Sequence, residues 1–147
     1  MSKTISYRGK LPIGEQDRIR LKTINGKVGY RITKFQVITT TPGAATTEMI
    51  GQIYKTDQTG NITTTVDFSD KDLLAMAYYQ DGLTIDTTQN MTVIFDNEKI
   101  NQDIFVNITD AAGTTVPANY YIELEAMALS DIESTMLTLQ SLRTVSE

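Results

Sequence analysis

The chain has 147 residues, 40% hydrophobic and 21% charged, enough for one globular domain to bury a core without covalent staples. It contains neither cysteine nor histidine, which excludes disulfides, thiolate chemistry and sulfur-ligated metals and removes the commonest general base and metal ligand. The net charge of −5 conceals a polarised chain: residues 1–35 carry nine Lys and Arg against two acidic residues, a net +7, and the remainder carries four against sixteen, a net −12.

No apolar leader opens the sequence and it contains no run of about 18 apolar residues, so a soluble product with no membrane partner is expected. Nucleic acid is not an expected partner either, because the acidic remainder would repel phosphate. The asymmetry fits head-to-tail contact between copies of the chain, and it equally fits basic strands pairing with acidic ones inside a single fold.

Residues 1–12 read as an extended stretch with Ile5 and Tyr7 on one side, separated from the next segment by Pro12-Ile13-Gly14. It is either an edge strand or an arm lying on another subunit. Residues 16–38 alternate apolar with polar around Asn25-Gly26, which predicts a β-hairpin with Leu21 opposite Tyr30 and Ile19 opposite Ile32. Its polar face carries Arg18, Arg20, Lys22 and Arg31, and in this register Arg20 opposes Arg31, where like charges destabilise a strand pair. That face is either a solubilising exterior or a charge-matched protein interface formed by these four residues. Between Ile32 and Phe35 the alternation slips by one position, as a bulge or a crossing between sheets requires.

Further along, Pro42-Gly43 suits a type II turn, and strands are expected over 48–56 and 62–68, the second with Ile62, Thr64, Val66 and Phe68 on one face. Ser69-Asp70-Lys71-Asp72 has the form of a capping box ahead of Leu73, Leu74, Ala75, Met76 and Ala77, which predicts a helix of two to three turns ending near Tyr79. Met91, Val93 and Phe95, then Ile104, Val106 and Ile108, then Tyr120, Ile122, Leu124 and Ala126 each alternate as strands. Asp96-Asn97-Glu98-Lys99 turns the chain between the first two. Ser130-Asp131-Ile132-Glu133 opens a closing helix over 131–142, with Ile132, Met136, Leu139 and Arg143 at helical spacing and Leu137 and Leu142 beside them. Short strands, frequent turns and no βαβ rhythm define a mainly β chain: an antiparallel β-sandwich, jelly-roll-like, with one or two short helices.

Chemistry is sparse. Carboxylate pairs at Asp70/Asp72, Asp96/Glu98 and Glu123/Glu125 are the only acid–base apparatus available, and each fits turn capping or solvation better than catalysis. Asp57-Gln58-Thr59-Gly60-Asn61 and Asp96-Asn97-Glu98 lack the spacing of a calcium loop, and the glycines form no phosphate cradle. No enzymatic activity, cofactor or metal is expected. Tyr30, Tyr54 and Tyr120 fall on apolar faces, whereas Tyr78, Tyr79 and Tyr121 are the residues that could stack on sugars.

The opening Tyr7-Arg8-Gly9-Lys10-Leu11-Pro12, the runs Gly14-Glu15-Gln16-Asp17-Arg18-Ile19-Arg20-Leu21 and Gly29-Tyr30-Arg31-Ile32-Thr33-Lys34-Phe35, and the ending Asn119-Tyr120-Tyr121-Ile122-Glu123-Leu124-Glu125 with Leu137-Thr138-Leu139 resemble a small protein widespread among marine tailed bacteriophages. The resemblance spans most of the chain and carries no catalytic motif. It implies an oligomeric virion structural protein, assembled in the host bacterial cytoplasm, with the major capsid protein and other virion proteins as partners. A head decoration or cement protein is the leading expectation and a tail or neck component the alternative. A carbohydrate-binding module for host adhesion is the alternative from another class.

Overall fold

The alternating segments form two antiparallel sheets in a computed structural model that describes residues 3–23, 26–44, 46–82, 89–95 and 98–146, with the side chains of 141–146 excepted. Chain order runs β1 (Lys3–Leu11), β2 (Gln16–Ile19), β3 (Val28–Thr39), β4 (Thr47–Tyr54), β5 (Leu73–Asp81), β6 (Gln89–Ile94), β7 (Ile104–Asp110), β8 (Ala118–Ala128) and a closing helix, α1 (Asp131–Ser146). One sheet has the order β1-β8-β3 and the other β2-β7-β4-β5-β6. The pairs nest: β4 with β5, β2 with β7, β1 with β8, as if one long ribbon had been folded at the β4–β5 connection and wrapped. This is the β-sandwich expected, with jelly-roll nesting. It departs at one pair: β6 adds to β5, and the Thr92 hydroxyl donating to the Phe35 carbonyl at 2.9 Å stands where a β3·β6 ladder would run.

Both sheets send alternate residues inward. Phe35, Met49, Ile53, Ile104, Val106, Ile108, Ile122 and Leu124 are fully buried, each large side chain contributing about 1.5–3 kcal/mol on removal from water. The sheets close at Gly51, where an added Cβ would lie 2.6 Å from Val37 Cγ2 and 2.9 Å from Phe35 Cζ. Phe35 and Val37 reach that site because β3 shifts register against β8 between Ile32 and Lys34, the bulge expected from the slip in alternation. The 1–12 stretch is an edge strand over its described length, paired with β8 from Lys3↔Ala126 to Leu11↔Ala118.

The hairpin over 16–38 does not form. β2 pairs with β7 and β3 with β8, so residues 20–27 cross from one sheet to the other. Two interactions explain this. The Asp103 carboxylate accepts the main-chain N–H groups of Leu21 and Lys22, both at 2.9 Å, which ends β2. In addition, β3 gains an acidic neighbour, with Arg31 opposite Glu125 and Lys34 opposite Glu123, in place of the Arg20/Arg31 repulsion. Ile24 and Asn25 lie outside the described residues. Gly26 has the left-handed φ of +65° that a turn glycine supplies, and its N–H donates to the Thr23 carbonyl at 3.3 Å.

Two further expectations are corrected. Residues 73–81 are strand β5, not a helix: Leu73, Leu74, Ala75, Met76 and Ala77 are all buried, so the run is apolar because both faces of an inner strand are covered. Asp70 and Asp72 belong to the turn before it, where the Asp72 N–H donates to Asp70 Oδ1 at 2.9 Å. Residues 62–68 form no strand. They drape over the outer face of the five-stranded sheet, where the carbonyls of Thr63 and Thr65 accept from Thr109 and Gln52. Phe68 stands half exposed in an edge-to-face contact with Phe95, ring centroids 5.0 Å apart.

The closing helix begins as expected, with a reciprocal capping box: the Glu133 N–H donates to Ser130 Oγ at 3.2 Å and the Ser130 N–H to Glu133 Oε1 at 3.4 Å. Its seat is polar. Ser134 Oγ and Asn101 Nδ2 both donate to the Gly26 carbonyl, at 2.9 and 3.1 Å, and Asn101 Nδ2 also donates to Thr138 Oγ1 at 3.2 Å. Gly26 is therefore the hinge of the crossover and the floor of the helix seat at once. Gly26→Val should lower stability by about 1–3 kcal/mol through φ strain, with added crowding against Asn101, Ser134 and Thr138. Urea denaturation followed by circular dichroism measures it, and an unchanged midpoint would count against the seat as described.

Candidate functional site

The four expected interface residues divide into two groups. Arg18 is held by Asp103, Nη2 to Oδ2 at 2.6 Å, with its guanidinium carbon 5.9 Å from the Phe105 ring centroid. Arg31 pairs with Glu125 at 2.8 Å, its Nε–H buried without a partner among the described residues. Lys34, Lys27 and Lys99 pair in turn with Glu123, Asp131 and Glu133. Arg18, Lys27, Arg31 and Lys34, four of the nine cations of residues 1–35, are therefore matched inside the fold, the last two strand against strand. Arg20 and Lys22 are exposed and make no side-chain ion pair among the described residues. The structure brings the four together on no single face.

Asp103 accepts from the Arg18 guanidinium and from the N–H groups of Leu21 and Lys22. Burial alone raises its pKa, but the Lys22 N–H, the Arg18 guanidinium and the Leu21 N–H outweigh that and hold it below the ordinary 3.8. Among the described residues, the carboxylates of the candidate pairs are taken up by turns and ion pairs. Asp70 caps its own turn, Glu123 and Glu125 face Lys34 and Arg31, and Glu98 pairs with Lys55 at 2.5 Å, while Asp96 lies outside the described residues. The Thr59 hydroxyl, the Gln16 amide and the Thr59 N–H hold the Asp57 carboxyl down to about 2, so its oxygen is occupied by the 57–60 turn. Among the described residues no cluster of three or more acidic side chains could hold a metal, and no helix is long and apolar enough to cross a membrane.

Two features remain that the fold does not absorb. The first is the outer side of α1, where Ile132, Met136 and Leu139 are 74%, 56% and 54% exposed. These residues are the stripe that the helical spacing picks out, but the stripe faces away from the body. Ser134, Leu137 and Thr138 occupy the inner side, because the Gly26 carbonyl and Asn101 reward hydroxyls there. The Leu142 and Arg143 side chains lie outside the described residues.

The second is a cleft of about 290 Å³ where β6 leaves β3, lined by Gln36–Ile38 of β3, Asn119–Tyr121 of β8, Ala77–Tyr79 of β5, and Asn90 and Thr92 of β6. Because consecutive residues of β3 line it, the cleft follows the strand's edge, not one face. Of the three candidate sugar-stacking tyrosines, Tyr78 and Tyr121 are half-buried at its wall and Tyr79 is buried. Burial, a hydrogen bond to Asp81 and that carboxylate's charge raise the Tyr79 pKa to about 12. Tyr54 and Tyr120 are buried, as expected, and Tyr30 packs against the core. Gln36, Asn90 and Asn119 carried no signal in the sequence. Parity sets Gln36 and Asn119 on the outer face of the three-stranded sheet, between inward neighbours, and Asn90 on the inner face of the five-stranded one, in register with buried Tyr79.

No protein-family model matches the chain, and a search of curated proteins finds no relative.

The charge geometry makes two outcomes measurable. Arg31→Glu places a carboxylate opposite Glu125 and should cost about 1 kcal/mol, whereas Arg20→Glu should leave stability unchanged; chemical denaturation of the two variants distinguishes the in-fold pair from the exposed cation. The depressed Asp103 pKa gives stability that is complete above 3.8 and lost as pH falls through the lower folded-state value. Asp103→Asn should thus be less stable than the parent by about 1–3 kcal/mol at neutral pH. That gap should narrow in strong acid. A gap independent of pH would remove the charge from the explanation.

Proposed function

We propose that this chain is a non-enzymatic structural protein of a tailed-phage particle that works by packing against its neighbours. The inverted helix carries the reading. A surface helix ordinarily turns its apolar stripe inward, whereas α1 is seated by Ser134, Thr138, Asn101 and Gly26 and leaves Ile132, Met136 and Leu139 in water. A contiguous exposed apolar surface of this kind marks a contact with another protein. A second copy of the chain is the first partner and the major capsid protein the next. The phage setting rests on the resemblance of the opening and closing runs; a head decoration or cement role fits a small sandwich repeated over a surface. A tail or neck fitting is the second reading, and copy number separates them.

Locating the protein in a cryo-EM map of the intact particle tests this directly: many copies on the head with α1 at a contact support decoration, and absence from the particle sinks the proposal. In the purified protein, Ile132→Glu with Met136→Glu should leave the circular dichroism spectrum unchanged, because both side chains are exposed, while abolishing self-association and attachment. Arg20→Glu with Lys22→Glu should weaken attachment only at low salt, since exposed charges are screened beyond about 8 Å at physiological ionic strength.

A further inference from the structure

We propose that the apolar stripe of α1 docks on the outer side of strand β6 in a second copy of the chain, a head-to-tail contact of helix on strand. This rests on the reading of α1 as a contact surface and names what covers it. Six large hydrophobic side chains are exposed among the described residues, and five of them fall into two groups. Ile132, Met136 and Leu139 form the stripe of α1, while Phe68 and Met91, 55% and 52% exposed, belong to the outer side of β6. Register sets Met91 opposite Tyr78 and Val93 opposite Met76, the parity that points away from the core residues Ala75 and Ala77. Phe95 continues the strand, its N–H donating to the Leu74 carbonyl at 3.0 Å, and its ring takes Phe68 edge-to-face. Met91, Val93, Phe95 and Phe68 thus make one apolar strip.

The two surfaces match in length, composition and charge. From Ile132 to Leu139 the stripe rises about 10 Å at about 1.5 Å per residue, and from Met91 to Phe95 the strip runs about 13 Å at about 3.3 Å per residue. Residues 89–95 hold no charged side chain, and methionine and phenylalanine are residues that contact cores favour. At one end of the stripe Lys27 and Asp131 form an exposed ion pair, and at one end of the strip Asp67 and Lys71 are exposed, flanking Phe68 in sequence. Set crosswise, each cation faces an anion, which places Ile132 at Phe68 and Leu139 at Met91. Two α1 stripes paired with each other would instead leave Phe68 and Met91 in water. A contact between unlike surfaces passes from copy to copy, closing into a ring or extending as a chain. Its apolar area is small, so each contact is weak by itself and persists where many copies are held together.

Sedimentation velocity of the full chain from about 1 μM to about 1 mM reads contacts down to millimolar affinity. The parent should sediment faster with rising concentration, past the dimer. Ile132→Glu with Met136→Glu, and separately Phe68→Glu with Met91→Glu, should each stay monomeric with an unchanged circular dichroism spectrum. Mixed in equal amounts, these two variants should form a heterodimer and nothing larger, because each supplies the half that the other lacks. Met91→Glu alone, at an exposed side chain, should weaken association about tenfold and serves where Phe68→Glu disturbs the 55–72 segment. Lys71→Glu should weaken association about twofold to fivefold, and Asp131→Lys in the same chain should restore it. If Phe68→Glu with Met91→Glu associates like the parent, the inference falls and the α1 reading stands, the result expected of two α1 stripes that pair with each other. If Ile132→Glu with Met136→Glu associates like the parent, both fall. A mixture of the two variants that stays monomeric, or a parent that stays monomeric over the whole range, also overturns the head-to-tail contact.

Discussion

Strand β8 can have only two neighbours, and the sheet assigns it β1 and β3, both drawn from the basic first third of the chain. Its outward residues Glu123 and Glu125 need cations beside them, and Lys34 and Arg31 supply them from β3. Its inward residues Tyr120, Ile122 and Leu124 need the apolar faces of both neighbours. With β3 paired to β8 and β2 to β7, the chain between them must cross the sandwich.

The crossover brings a carbonyl with an unusual duty. Gly26 accepts from Asn101 and Ser134, and these neutral groups seat the helix. A helix held by hydroxyls and an amide has no need to bury leucine and isoleucine underneath, so its stripe is released to the outside. The gap between β3 and β6 likewise arises because β6 remains attached to β5, leaving the edge of β3 to be met by the Thr92 hydroxyl at Phe35 and by an isolated bridge to Ile100 at Tyr30. Both unabsorbed surfaces are by-products of how the ribbon closes.

What the sequence disclosed was local. Period-2 alternation placed β6, β7 and β8, the parity slip placed the bulge at Ile32–Lys34, and Ser130 with Glu133 placed the start of α1. The failures share one cause, a local signal outvoted by a distant partner. Asn25-Gly26 suits a two-residue hairpin, yet Asp103, far along the chain, captures Leu21 and Lys22 and ends the strand early. Leu73 to Ala77 are good helix formers, yet their burial on both faces makes them an inner strand. Tyr78 and Tyr121 were recognisable as ring surfaces, and their outward placement on two different sheets follows only once Tyr79 and Tyr120 are committed to the core.

The pairing of β1 with β8 joins segments far apart in sequence, Lys3 to Ala126 and Leu11 to Ala118. During synthesis β1 leaves the ribosome long before β8, so their pairing is a long-range closure of the kind that folds slowly. Throughout that interval Ile5 and Tyr7 lack the core that later covers them. Lys3, Arg8 and Lys10 carry like charge along the same strand, so two waiting copies repel each other edge to edge. The basic start of the chain then acts as a guard against premature pairing, and its work is finished when β8 arrives.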